Sequence, residues 1–442
     1  MTEDQLLLRS TVFAEEVEQA RWIAKGPSIF WRTAGTDPQA PKGEIRILRR
    51  WNSHTPSVLD VFGGGYILRW RGKGTVIDPG CGFIRMLQKL TSYGLGDIDM
   101  VVSTHDHIDH CEDLGTLVTL LREFNKWGIV KGESGFPRTM DVLVSHGVAA
   151  QFASVLTHPE NAPFLRWSKI LPPARVERVR LPPKIALNHD DTLKDLSKWP
   201  AEHLRRLCKF YSARIEDPRE YAFRMFAMPA RHSELLGQNT SMGLRFELCD
   251  ADPPCSIVIS GDTGVCSPSE IERPCYKNNV SARTLAEYYK GAHLLVLHVG
   301  TMEKVDATTR VPEREGEHLG LIGVIEILEE LSRIAQAEGV GLPKLVVLTE
   351  WGYEFGRLGL RGRTAFTRHV VNELRGRGKT GNSFFAAVKG ERNTEGGIPV
   401  IPADVNLRIR LPDLEVWSDK KGSRFVPRTQ IEAEEQVEEI VY

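Results

Sequence analysis

The chain has 442 residues, with 57 Lys and Arg against 58 Asp and Glu and a formal net charge of −1. A balance this even excludes a global electrostatic pull on nucleic acid or anionic membrane, so any such contact must come from a local cluster. The start, Met1-Thr2-Glu3-Asp4-Gln5, lacks the basic and apolar regions of a secretory signal, and no apolar run approaches the roughly 18 residues of a membrane span. The seven cysteines are scattered, odd in number and without a CxxC pair, which argues against a disulfide framework and fits a reducing cytoplasm.

Residues 3–25 repeat apolar side chains at helical spacing (Leu6, Leu7, Phe13, Val17, Ala20, Ile23) and lead into a Gly-, Pro- and Thr-rich stretch, so residues 1–42 are expected to form an N-terminal helical extension. A single domain is expected over 43–442. Its first strands are expected at 44–48, 61–70 and 75–80, the last ending at Asp78. The run Gly63-Gly64-Gly65 is followed by neither GK[ST] nor a helix start, which excludes a phosphate loop.

The apolar run Met100-Val101-Val102 leads into Ser103-Thr104-His105-Asp106-His107-Ile108-Asp109-His110, an HxHxDH pattern. At the end of an extended strand, a spacing of two puts His105 and His107 on one side. Asp109 and His110 follow where the chain turns into an expected helix over 112–127. Imidazole and carboxylate are strong zinc ligands, and four in six residues can surround a metal pair; a polar loop that is merely His-rich is the weaker reading. Cys111 reads better as a small buried neighbour than as a ligand.

Between 112 and 225, helical patterns at 114–124, 147–156 and 200–210 alternate with prolines, so an inserted, mainly helical lobe at the substrate mouth is expected. Its His146, His158, His189 and His203 read as surface or structural histidines. Beyond it, the chain places His232 after Ala227-Met228-Pro229-Ala230-Arg231, and Ser260-Gly261-Asp262-Thr263 after an apolar strand. Another apolar strand ends at His298, His318 precedes a helix over 321–335, and a third apolar strand ends at Glu350. Residues 356–379 are basic, with Arg357, Arg361, Arg363, Arg368, Arg375, Arg377 and Lys379 against Glu373 alone. A phosphate-rich substrate and a solvated helix face explain that run equally well. The tail, about 398–442, has strand-like patterns.

Taken in order, these motifs resemble those of the metallo-β-lactamase superfamily, and the Ser-Gly-Asp-Thr form is most like its tRNase Z-like phosphodiesterase branch. The resemblance implies a four-layer αββα sandwich, here with the inserted lobe, and a dinuclear site along one edge of the sheets. It implies that Asp78 braces the ligand loop by hydrogen bonds. It implies one metal on His105, His107 and His232, the other on Asp109, His110 and Glu350, and Asp262 bridging both. Relatives commonly carry a histidine where this chain has Glu350. Zinc is the metal implied, with manganese or iron as alternatives. His318 matches a position that contacts the scissile phosphate or protonates the leaving group. His298 has no clear match and is either an active-site neighbour or structural. The catalytic candidates are therefore Asp109, His318 and His298.

The expected function is a metal-dependent hydrolase in which two divalent ions acidify a bridging water, most simply a cytoplasmic phosphodiesterase or nuclease with a nucleotide or nucleic-acid substrate. Two alternatives stay open. One is hydrolysis of an acyl ester, thioester or lactam on the same site. The other is a non-catalytic metal-bearing sensor or interaction protein.

Overall fold

The computed structural model describes residues 43–52, 64–131, 136–170, 223–233, 241–248, 251–266, 280–301, 304–305, 312–313, 317–352, 355, 359–377, 385–387, 397–403, 405–418 and 426–427. The N-terminal extension over 1–42, His189 and His203 lie outside the described residues.

The first sheet starts as a meander of β1 (Gly43–Ile47), β2 (Tyr66–Trp70) and β3 (Lys73–Ile77). Arg71 and Gly72 both have positive φ (50° and 74°), the backbone that a two-residue hairpin needs to match strand twist. Side chains alternate as a period of two requires. Ile45, Ile47, Tyr66, Leu68, Trp70 and Ile77 face the other sheet, whereas Leu48, Ile67 and Val76 face helices. The chain then runs through α1 (Phe83–Leu90), β4 (Met100–Ser103), α2 (Ile108–Lys131), β5 (Met140–Val144), α3 (His146–Gln151), α4 (Ala153–Leu156) and β6 (Leu165–Ile170). β3, β4, β5 and β6 pair in parallel, with the helices as crossovers. Helix α1 lacks a capping side chain at Gly82, and the Asp113 carboxylate of α2 accepts from Ile84 N at 2.9 Å instead.

The second sheet contains β7 (Phe223–Pro229), β8 (Met242–Leu248), β9 (Ser256–Ile259) and, after α5 (Ala282–Tyr289), β10 (Leu294–His298). A small ribbon of β11 (Lys304–Val305) and β12 (Pro312–Glu313) follows, then α6 (Leu321–Glu338), β13 (Leu345–Thr349), α7 (Gly359–Arg377), β14 (Phe385–Ala387) and β15 (Ile398–Pro402). The tail strands β16 (Leu407–Arg410), β17 (Glu415–Ser418) and β18 (Val426–Pro427) return to the first sheet beside β1. The sheet orders are β18-β17-β16-β1-β2-β3-β4-β5-β6 and β14-β15-β13-β10-β9-β8-β7.

Three apolar cores separate the layers. One, around Phe83, Leu114 and Phe124, lies between the first sheet and α1 to α4. The second, around Tyr66, Phe246 and Val296, lies between the sheets. The third, around Tyr289, Ile327 and Trp351, lies between the second sheet and α5 to α7. This is the expected αββα sandwich. Among the described residues no helix is long and apolar enough to cross a membrane.

The region expected as a mainly helical lobe, 112–225, opens differently. Its first part continues the sheet through β5 and β6, and 171–222 lies outside the described residues. Val142-Leu143-Val144 is a short apolar run buried on both faces, which carries neither a period of two nor a helical one. The C-terminal strands expected after 398 are present in β15 to β18.

Candidate metal centre

The expected site residues gather at the carboxyl ends of strands from both sheets, where parallel α/β sheets hold their ligands. Asp78 follows β3, His105 follows β4 and Asp262 follows β9, while His298 ends β10 and Glu350 follows β13. The two sheets meet here through backbone. Met242 N donates to Thr104 O at 3.3 Å, and Trp351 N donates to Arg50 O at 2.8 Å beside a parallel bridge from Trp51 to Trp351. Asp78 and Glu350 each leave their strand at positive φ (50° and 53°), a costly backbone for residues with side chains and one that clusters at functional sites.

His105, His107 and His232 form a nearly equilateral group, their ring centroids 4.7 to 4.8 Å apart. His107 Nδ1 and His232 Nε2 are 3.0 Å apart. His232 Nδ1 donates to the Glu317 carbonyl at 3.1 Å, which turns the Nε2 lone pair inward. His105 Nε2 is buried with no hydrogen-bond partner. Burial holds His105 well below the ordinary imidazole range, helped by His110, His232 and His107. Burial lowers His107, and burial with His318 lowers His232 strongly. Three neutral imidazoles with inward lone pairs, one of them otherwise unsatisfied, fit a divalent ion: nitrogens about 2.0–2.1 Å from one tetrahedral centre stand roughly 3.3 Å apart.

Asp262 is the hub. Its Oδ1 accepts from His298 Nδ1 at 3.1 Å. Its Oδ2 faces His110 Nε2 at 3.3 Å, His318 Nδ1 at 3.7 Å and His232 Nε2 at 4.0 Å. Burial alone would raise this carboxyl, but His110, His298 and His318 together pull it well below the usual carboxylate range. His298 is buried, and its Nε2 lies 2.9 Å from the Tyr66 hydroxyl, so both ring nitrogens are engaged and the ring orients Asp262. Asp78 accepts from Thr104 N at 2.7 Å, Thr104 Oγ1 at 2.8 Å and His110 Nδ1 at 3.0 Å, fixing the loop that carries the HxHxDH motif. The loop's neighbour must be glycine: a Cβ on Gly80 would stand 1.6 Å from Asp109 O.

His318 is different in setting, with its side chain 22 % exposed. It tilts on His232 at a centroid distance of 4.8 Å, and its Nδ1 lies 3.4 Å from Asn52 Nδ2. A side chain on Gly300 would collide with both groups, at 2.3 and 2.5 Å.

Asp109 and Glu350, expected as metal ligands, turn to a residue that sequence reasoning did not single out. Arg49, fully buried, donates from Nη1 to Asp109 O at 2.6 Å and from Nη2 to Asp109 Oδ2. Its Nε lies 3.1 Å from Glu350 Oε2, whose partner oxygen Oε1 accepts from the Tyr66 hydroxyl. Burial would lower the guanidinium's pKa, but Glu350, Asp109 and Asp262 outweigh it and hold Arg49 above its ordinary value. The only sequence signal was Arg49-Arg50-Trp51 directly after a strand, which does not distinguish a site cation from a surface one.

In the basic run, Arg363 is buried within α7, which removes it from substrate reach. Arg368 and Arg375 are exposed, whereas Arg357 and Lys379 lie outside the described residues. Cys111 is a buried free thiol whose Sγ donates to His107 O at 3.2 Å.

The family described as "Beta-lactamase superfamily domain" matches residues 75–338, more than half of the chain. The chain belongs to this superfamily. The matched stretch holds every expected site residue except Glu350, and Arg49 also falls outside it. Curated proteins gave no match. Similar solved structures include the metallo-beta-lactamase fold protein YhfI from Bacillus subtilis, at 14% identity and TM-score 0.43, covering 84% of this chain and 99% of that one. Human tRNase Z, short form, is also 14% identical, with TM-score 0.44 and the same coverages. A long form RNase Z from yeast is 11% identical, with TM-score 0.44, covering 85% of this chain and 43% of that one.

Proposed function

We propose that this superfamily member is a metal-dependent phosphodiesterase, acting on a nucleotide or nucleic-acid phosphodiester. The observation that carries the reading is the inward-facing trio of His105, His107 and His232 beside Asp262, with the part-exposed His318 at its rim. His105, His107, His232 and Asp262 Oδ2 would hold a divalent ion. Such an ion supplies a nucleophile at neutral pH and offsets charge that develops on phosphoryl oxygens.

The chain's own residues do the rest. The three imidazoles remain neutral and so keep their lone pairs for coordination. His298 fixes the carboxylate plane of Asp262, and Tyr66 fixes His298. Asp78 holds the loop so that His105 and His107 project together. His318 turns Nδ1 to Asp262 and Asn52, and its Nε2 is assigned to the substrate, where it protonates the departing oxygen or contacts the phosphate. The phosphodiester assignment rests on His318 and on the Ser-Gly-Asp-Thr form of the Asp262 motif.

The test uses the full chain loaded with zinc or manganese, assayed on bis(4-nitrophenyl) phosphate and on 4-nitrophenyl acetate. Phosphodiester cleavage that is lost on chelation and restored by metal is expected. Metal-dependent cleavage of the acetate alone would move the assignment to acyl esters. Bound metal with no turnover of either would favour a non-catalytic role.

A further inference from the structure

The donors expected to hold a second ion converge on a guanidinium. Arg49 is 0 % exposed and touches all three. Its Nη1 and Nη2 grip Asp109 through the carbonyl and the carboxylate, its Nη2 lies 2.9 Å from His110 Nε2, and its Nε lies 3.1 Å from Glu350 Oε2. Nε also donates to the Trp51 carbonyl at 2.6 Å. Among the described residues, every group of donors close enough to share an ion omits Asp109; His110 joins His105 and Asp262 in one and Glu350 joins Asp262 and His298 in another, and in each of these one donor stands against Arg49.

The position of Arg49 is set by backbone. It follows β1 by two residues, and the pairing of Trp351 N with Arg50 O places it against Glu350. Glu350 is held from its other side by Tyr66. The guanidinium is planar, presents several donors in a fixed fork, and does not lose its proton in proteins. An ion brought to Asp109, His110 and Glu350 would have to displace these contacts and sit against a fixed positive charge in a buried site.

We propose that Arg49 takes the place of the second metal in this chain, so that the centre holds one divalent ion, on His105, His107, His232 and Asp262. The inference rests on the proposed metal-dependent function and alters how the site works. A guanidinium offsets one of the two negative charges of Asp109 and Glu350, but it has no open coordination position and cannot activate water. Activation of water is confined to the histidine side. The ligand set is then three imidazoles and one carboxylate, which suits zinc better than manganese.

The experiment counts zinc bound to the full chain by native mass spectrometry after loading and desalting, for the wild type, Arg49→Met and Arg49→Lys. One ion in the wild type, two in Arg49→Met and one in Arg49→Lys are expected. Anomalous diffraction at the zinc edge should place the wild-type ion among His105, His107 and His232, which keeps the proposal testable if Arg49→Met fails to fold. Two tightly held ions in the wild type would overturn the inference and leave the proposed function standing. A folded Arg49→Met that still binds one ion would also overturn it, because Arg49 would not be what excludes the second. A wild type that binds no zinc would overturn both.

Discussion

The two halves of the centre are built from the same kinds of residue and end in opposite states. On one side, His105, His107 and His232 point uncharged nitrogens at each other, and His105 Nε2 has no hydrogen-bond partner. On the other, Asp109, His110 and Glu350 are gathered around Arg49. On the one-ion proposal, ligand-type side chains at ligand-type spacing do not by themselves define a metal position. The contrast turns on Arg49, and its weakest point is Glu350 Oε2, which lies 3.1 Å from Arg49 Nε without accepting a hydrogen bond.

The strongest way to break this contrast is His105→Ala. Removing the unsatisfied nitrogen should abolish zinc binding to the histidine side and, with it, all turnover; zinc content by elemental analysis checks it. Retention of a full equivalent of zinc would show that the trio is not the metal position. His318→Ala separates the rim from the trio. Turnover should fall by about 10²–10⁴-fold, the usual scale for loss of a general acid. Zinc content should hold, and a parallel loss of zinc would make His318 a ligand.

Glu350→Gln tests the closed half. Leaving the buried Arg49 with one carboxylate fewer should lower stability by about 3 kcal/mol, read by urea unfolding, while the zinc content of the folded protein stays unchanged. A folded variant that loses its zinc would mean that Glu350 coordinates.

The smallest effect is a control outside both halves. Burial pushes the Asp113 carboxyl up to about 6. Its folded pKa lies above the unfolded value, so the folded state binds more protons, and this group's contribution falls as pH rises from about 4 to 6. Asp113→Asn keeps an acceptor for Ile84 N and removes the buried charge. It should stabilise the protein by about 1–3 kcal/mol at pH 7 and make no difference at pH 4. An equal gain at both pH values would refute the assignment of the shift.

What the sequence showed depended on whether a residue's role is local. His105 and His107 share a strand end, and Asp262 follows an apolar strand in a recognisable Ser-Gly-Asp-Thr turn, so both were legible. The sandwich was legible only through the resemblance that these ordered motifs carry, since several of its strands are apolar runs without alternation. The role of Arg49 depends on Glu350, 301 positions away in the chain, and on the Trp51 to Trp351 bridge that brings them together. Nothing near Arg49 marks that meeting. Tyr66 is similar: it reads as one more apolar strand residue until its hydroxyl is found between His298 and Glu350. β5 carries no such local mark, because burial on both faces erases the alternation by which a strand is recognised.

The histidine trio spans the line where the two sheets face each other. His105 and His107 belong to the first sheet, His232 and Asp262 to the second. An ion held there, as proposed, would act as a rivet between the layers, which among the described residues meet through side chains and a few backbone contacts. With its donors divided between the sheets, capture of such an ion would await synthesis past residue 262 and docking of the two sheets. Folding and metal loading are then linked: free zinc at a hundred times its dissociation constant would add about 2.7 kcal/mol to the folded state.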